Sequence, residues 1–376
     1  MTPPSPVGAA GVLSIDLKAL ADNWRLLARR AAPAGCAAVI KADGYGLGIE
    51  IVASTLYAAG CRVFFVAHLD EGARARAVLP QADARLYALN GLQSGADPYA
   101  DYAALRLAPV IGGAEEFAYW AAFAATSSAP PPSALHLDTG MNRLGFDSLD
   151  ELRAATARCG GVRGADLLMS HFVSSEEPGN PLNAVQIARF EEARAAFRPL
   201  AASLANSSAM FLPARPIFDL ARPGYALYGG NPTPGAANPM KPVVTLDVAI
   251  QQTRWIEAGE TCGYNGQWTA RRRTRLATLL AGYADGLPRG AGALDGREGA
   301  EVVVAGRRCR LVGRVSMDLS IADVTEVPED AARPGEFARF LGEAIGVDEF
   351  ASRSGTIGYA VLTGLGARYA RRIVNG

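Results

Sequence analysis

The sequence predicts an α/β chain: an N-terminal (β/α)8 TIM-type barrel followed by a mainly β C-terminal domain. Through roughly the first 225 residues, short apolar runs alternate with helix-patterned stretches. Alternation of that kind makes a parallel sheet, and eight units close it into a barrel. After about residue 240, strand-patterned segments separated by glycine-containing turns take over, as in an all-β unit. The length of 376 residues fits about two domains. A hydrophobic content of 49% against 20% charged residues suffices for packed cores.

In chain order, the first ten residues read as a loose tail. GVLSIDLKAL (11–20) reads as a strand leading into a helix, and residues 11–16 could pair with the C-terminal domain. Barrel strands are expected at AAVIK (37–41), RVFFVAH (62–68), RLYALN (85–90), RLAPVI (106–111), ALHLD (134–138), DLLMSH (166–171), ASLANS (202–207) and ARPGYALYG (221–229). Between them, IEIVASTLYAAG (49–60) and AVQIARFEEARAAF (184–197) carry apolar residues at helical spacing. NPTPGAANPM (231–240) is the natural linker, which sets the barrel at 11–235 and the β domain at 241–376.

Composition excludes several function classes. Lys+Arg and Asp+Glu both number 37, so the basic surplus of a nucleic-acid partner is missing. No apolar run approaches the ~20 residues of a membrane helix, and the N-terminus lacks the pattern of a signal peptide. Five scattered cysteines (Cys36, Cys61, Cys159, Cys262, Cys309) with no CxxC pair read as reduced thiols in a cytoplasmic compartment. No metal site is expected.

Only three lysines occur: Lys18, Lys41 and Lys241. Lys18 falls in a stretch that reads as an amphipathic helix and Lys241 at the domain junction, so both read as surface residues. Lys41 ends the first barrel strand, and strand ends of this fold point into the barrel mouth, where active sites lie. Desolvation there lowers an amine's pKa and suits it to capture a carbonyl cofactor. A rim lysine in a salt bridge is the competing reading from position alone.

The segment VIKADGYGLG (39–48) resembles the cofactor-lysine signature of the alanine racemases, the fold-type III enzymes dependent on pyridoxal 5′-phosphate (PLP). The resemblance continues in family order through HLDTGMNRLGF (136–146), SHF (170–172), ANSSA (205–209), RPGYALYG (222–229), GYADGLPR (282–289), VGRVSMD (312–318) and GTIGYAVLT (355–363). Each motif alone is weak; eight in order over nearly the whole chain are specific.

The resemblance implies interconversion of L- and D-alanine, supplying D-alanine for peptidoglycan. It makes Lys41 the covalent anchor of PLP and one catalytic base, with Tyr283 as the second. Exchange of an α-proton between two faces needs a base on each side of the cofactor. Arg222 would face the pyridine nitrogen and His171 would lie against the ring, the two linking to Tyr283 by hydrogen bonds. Tyr45, Asn206, Ser207, Gly224, Tyr225 and Tyr359 would hold the rest of the cofactor, mostly its phosphate. Arg143 and the backbone of Met317 would grip the substrate carboxylate, and Asp318 would line the approach. The family places the β domain of one subunit over the barrel of the other, implying a homodimer with shared sites.

Two positions depart from the family pattern. Many members carry a carbamylated lysine where this chain has His136, and a neutral imidazole cannot supply that negative charge next to Arg143. The histidine of KADGYGHG is Leu47 here. A racemase of serine or of broader range is the alternative. A PLP decarboxylase should carry a carboxylate at position 222. A PLP-carrier barrel would lack the β domain.

Overall fold

A computed structural model describes residues 10–92, 98–127, 132–162 and 164–376. The tail expected over the first ten residues lies outside these, apart from Ala10. Two compact units are present. The first comprises residues 20–227 with 231–240, and the second residues 10–19 with 228–230 and 241–376. Relative to the boundaries expected from sequence, 11–16 pair with the β unit as anticipated, 17–19 and 228–230 also fall with it, and the linker residues 236–240 fall with the barrel.

In the first unit, seven parallel strands follow one another in sequence order: Ala38–Val39, Val63–Val66, Arg85–Ala88, Leu107–Ile111, Ser133–His136, Ala165–Met169 and Ala201–Ser203. An eighth, Leu220–Ala221, pairs parallel with Gly35–Cys36, just ahead of the first. On its other side, Asp219 N donates to Ala202 O (2.9 Å) and Arg222 N to Ala205 O (2.8 Å), tying it to the seventh. Last strand and first are thereby joined, as in a TIM-type barrel. Such strands are covered on both faces and read as continuous apolar runs. Phe64, Phe65 and Val66 are accordingly fully buried, as are Leu107 and Ile111.

The outer helices follow from local signals. Ile49–Ala59 buries Ile49, Val52, Ala53 and Leu56, and stops at Gly60, whose φ of +117° terminates it. Pro181–Ala196 starts at Asn180, whose side chain accepts from Leu182 N, with proline in its first turn.

Most strands are shorter than the runs the sequence suggests, and three of these endings shape the site. The run 37–41 is strand only to Val39, and Lys41 opens a left-handed turn. The run 202–207 stops at Ser203. Within 221–229 the strand ends at Ala221, because Pro223 has no N–H to continue a ladder; Tyr225–Tyr228 is a 3-10 turn.

The second unit is built on an eight-stranded sheet. Its long strand Val244–Ile256 pairs antiparallel with Gly11–Asp16, Phe337–Leu341 and Thr274–Leu279. Gly11–Asp16 also runs parallel to Ala370–Val374. Leu13, Ile15, Leu246, Val302, Val304 and Phe340 fill the core. Two short helices, Val347–Arg353 and Gly358–Gly364, complete it. Among the described residues no helix is long and apolar enough to cross a membrane. All five cysteines are free.

Candidate active site

The C-terminal ends of the barrel strands place Lys41, His136, His171, Ser207 and Arg222 in the same unit. Lys41 is half-buried. Among the described residues its amine has no hydrogen-bond or ion-pair partner, whereas Lys18 and Lys241 are exposed. Burial, and then the charge of Arg143, push the Lys41 amine below its ordinary range, against the opposing influence of Glu71. The competing rim salt bridge is therefore absent.

Arg222 is 4% exposed and donates to Ser203 Oγ (2.5 Å) and Ser170 O (2.5 Å). No carboxylate among the described residues lies within ion-pair distance of it. Burial lowers its pKa to about 9. Its guanidinium carbon lies 5.8 Å from the centroid of the Phe65 ring. His171 is pushed down to about 3, first by burial and then by Arg222, Arg143 and Lys41. His136 falls to about 4 through burial and Arg222, partly offset by Asp138. Lys41, Arg143 and Arg222, with two histidines held neutral mainly by burial, give the mouth an excess of cationic groups, suited to an anionic ligand.

An anion cradle is built from the loops after the seventh and eighth strands. Ser207 Oγ accepts from Gly224 N (3.1 Å) and Ala226 N (3.2 Å). A β-carbon on Gly224 would stand 2.4 Å from Tyr45 Oη, so the tyrosine hydroxyl lies directly against that glycine. Ser207, Tyr45, Gly224 and Tyr225 thus converge within this unit. Asn206 is spent differently: its Oδ1 accepts from Ser175 Oγ (2.8 Å) and Ala209 N (3.0 Å), shaping the loop that presents Ser207. A doubly charged phosphate, a basic ring nitrogen and an aldehyde match this set of hydroxyls, amides, cation and free amine; the residues present fit PLP.

Arg143 stands on a tight turn. Asp138 accepts from the backbone N–H groups of Gly140, Met141 and Asn142 (2.6–2.8 Å). Gly145 permits the return, since a β-carbon there would lie 2.7 Å from Asp138 N. Arg143 is exposed and without a polar partner among the described residues. With His136, Asn90 and Glu116 it lines a cavity of about 320 Å³.

In the β unit, Tyr283 and Met317 are held side by side. Tyr283 N donates to Ser316 O (3.0 Å) and Ala284 N to Met317 O (2.9 Å). Gly282 allows the approach, since a β-carbon would sit 2.3 Å from Met317 O. Tyr283, Met317 and Tyr359 are 43%, 53% and 43% exposed. Arg368 joins this arrangement through ion pairs with Asp285 (2.6 Å) and Asp318 (2.8 Å).

Several contributors escape sequence reading. Gln186 donates to Thr139 Oγ1 (3.0 Å) and to His171 O (2.9 Å), linking two mouth loops from a helix. Ser170 and Ser203, which receive Arg222, lie in strand-end segments, but nothing in the spacing marks them. Glu71, Gln186, Arg368 and Asp285 are long-range partners with no local signature.

Comparisons with known proteins agree along the whole chain. The family model "Alanine racemase, N-terminal domain" matches residues 15–232, and "Alanine racemase, C-terminal domain" matches residues 243–373. The chain is 54% identical over 380 residues to a protein named alanine racemase from Methylobacterium sp. (strain 4-46), covering 100% of both. It is 51% identical over 376 residues to the alanine racemase of Methylobacterium nodulans, covering 100% of this chain and 99% of the relative. Among solved structures it resembles alanine racemase from Bartonella henselae with covalently bound pyridoxal phosphate. That match has a TM-score of 0.89 and 33% identity, over 97% of this chain and 100% of the other.

Proposed function

Because this chain belongs to the alanine racemase family and is a PLP-dependent racemase of alanine, we propose that Lys41 and Tyr283 are its two bases. Lys41 would hold the cofactor and serve the α-proton of D-alanine; Tyr283 would serve that of L-alanine from the opposite face. The observation that carries this reading is the half-buried, unpartnered amine of Lys41 in a cation-rich mouth.

Bound there, PLP supplies the electron sink that makes the α-proton removable. Ser207, Tyr45, the amides at Gly224 and Tyr225, and Tyr359 would hold the phosphate. Arg222 would set a cation beside the ring nitrogen and so withhold a proton from it. A carboxylate in that place would favour longer-lived charge on the ring and side reactions. His171 would pack on the ring, its imidazole kept neutral, and Asn206 would shape the phosphate loop. Arg143 and the amide of Met317 would bind the substrate carboxylate. His136 would back Arg143 without charge, and Asp318 would line the approach.

Two bases on opposite faces require the β unit and the barrel to meet across the cofactor. We assign that meeting to a homodimer in which each β unit serves its partner's barrel. The exposed Tyr283 and Met317, held side by side by backbone bonds, and the exposed Tyr359 in the same unit support it, as side chains available to a partner's barrel. A cytoplasmic role in supplying D-alanine for peptidoglycan accords with the free cysteines and the absence of a membrane helix among the described residues. The test is α-proton exchange in heavy water over a panel of L-amino acids. Exchange led by alanine is expected; exchange led by serine or spread evenly would transfer the assignment to the broader-range racemase.

A further inference from the structure

Lys41 is followed by an uncommon piece of backbone. Residues 42–46 all have positive φ: Ala42 (53°), Asp43 (54°), Gly44 (62°), Tyr45 (54°) and Gly46 (83°). Three of the five are not glycine, and residues with a β-carbon avoid this region singly, let alone in series. Such a turn persists only where its surroundings over-determine it. Its internal bonds are Gly44 N to Ile40 O (2.9 Å), Gly46 N to Ala42 O (2.7 Å), Leu47 N to Gly44 O (3.2 Å) and Gly48 N to Asp43 O (2.8 Å).

Two side chains supply the rest. Glu71, 9% exposed in the first turn of helix Leu69–Val78, receives Asp43 N on Oε1 (3.3 Å). Its Oε2 receives Ala67 N (2.7 Å), so one carboxylate fastens the turn to the end of the second barrel strand. Asp43 Oδ1 receives Ile49 N (3.1 Å) and Arg74 Nη2 (2.7 Å), and Arg74 also pairs with Glu50 at 2.7 Å. The turn is thus fastened behind by Glu71 and ahead by Asp43 to the helix that follows. The two groups assigned opposite ends of the cofactor, Lys41 and Tyr45, flank Ala42–Gly44.

We propose that Glu71 and Asp43 are positioning residues for Lys41, fixing the left-handed turn from which its amine is presented. The proposal rests on Lys41 being the cofactor lysine and the base for D-alanine. Glu71→Gln keeps the size but offers one acceptor to two N–H groups. Asp43→Ala removes both side-chain bonds, and Asp43→Asn retains the acceptor for Ile49 N in a residue that tolerates positive φ.

The test uses the full-length chain with two readouts. In the first, PLP is added to chain stripped of cofactor and its capture is followed by absorbance. About tenfold slower capture is expected for Glu71→Gln and Asp43→Ala, with near-parental rates for Asp43→Asn, since small misplacements of a reacting group are costly. The second readout, with cofactor bound, is α-proton exchange of each enantiomer: D-alanine exchange should fall about tenfold and L-alanine exchange less than twofold. A merely structural role would lower melting temperature and both enantiomers together. Parental capture in both folded variants, or equal loss for both enantiomers, overturns the proposal. If Glu71→Gln does not fold, the Asp43 pair decides alone. Slow capture in the variants alongside a Lys41→Ala enzyme that still exchanges D-alanine would sustain the positioning role while removing the base assignment.

Discussion

Acidification should weaken the folded chain through the two histidines of the barrel mouth, and replacing one should remove about half of that effect. His136 and His171 are held near 4 and 3 by burial and by the neighbouring cations. The unfolded chain holds each near 6.5. Below that value the unfolded state binds protons that the folded state refuses, so stability is intact above pH 6.5 and falls as pH drops toward 4. From pH 6.5 to 5 each histidine removes about 1.6 kcal/mol, or about 3 kcal/mol for the pair. Burial raises the Glu116 and Asp166 carboxylates, which take up protons early and offset part of the absolute loss. The comparison of parent with His136→Asn cancels that contribution. Urea unfolding of the full chain, stripped of cofactor, at the two pH values should show the variant losing about 1.6 kcal/mol less than the parent. An equal loss in both would refute the claim that His136 is neutral in the folded state. It would also reopen what faces Arg143, because a protonated imidazole there would repel it.

Tyr283→Ala should slow exchange of the L-alanine α-proton by about 10²- to 10⁴-fold, the usual worth of a positioned base. D-alanine exchange should be far less affected, and equal loss for both enantiomers in heavy water would count against two bases. Mixing inactive Lys41→Ala and Tyr283→Ala subunits should restore about a quarter of parental activity, because random pairing in a two-fold dimer leaves that share of sites intact; confirmed mixed dimers without recovery would exclude shared sites. Gly224→Ala should weaken PLP binding about five- to 150-fold, since overpacking costs about 1–3 kcal/mol and the new β-carbon would meet Tyr45 Oη at 2.4 Å. Titration followed by absorbance would show it, and unchanged affinity would remove Gly224 and Tyr45 from the phosphate cradle.

Architecture was legible where periodicity carried it. Strands buried on both faces announce themselves as apolar runs, and Asn180 or Gly60 mark helix ends by local chemistry. Strand ends were less legible: Lys41 reads as the last residue of a strand, yet it opens a left-handed turn that no local propensity favours. The fixing of that turn depends on Glu71, 28 residues away from Asp43. The pairing of Arg222 with Ser170 O and Ser203 Oγ likewise spans 52 and 19 residues. Sequence motifs named Arg222, but only tertiary structure reveals that no acid among the described residues accompanies it. In the β unit, GYADG and RVSMD stand apart in sequence and meet through backbone bonds that Gly282 permits.

The most direct test is to fix the cofactor in place with borohydride and map the modified peptide. The account predicts the added mass on the peptide carrying Lys41. Label on Lys18 or Lys241, both exposed, would contradict it.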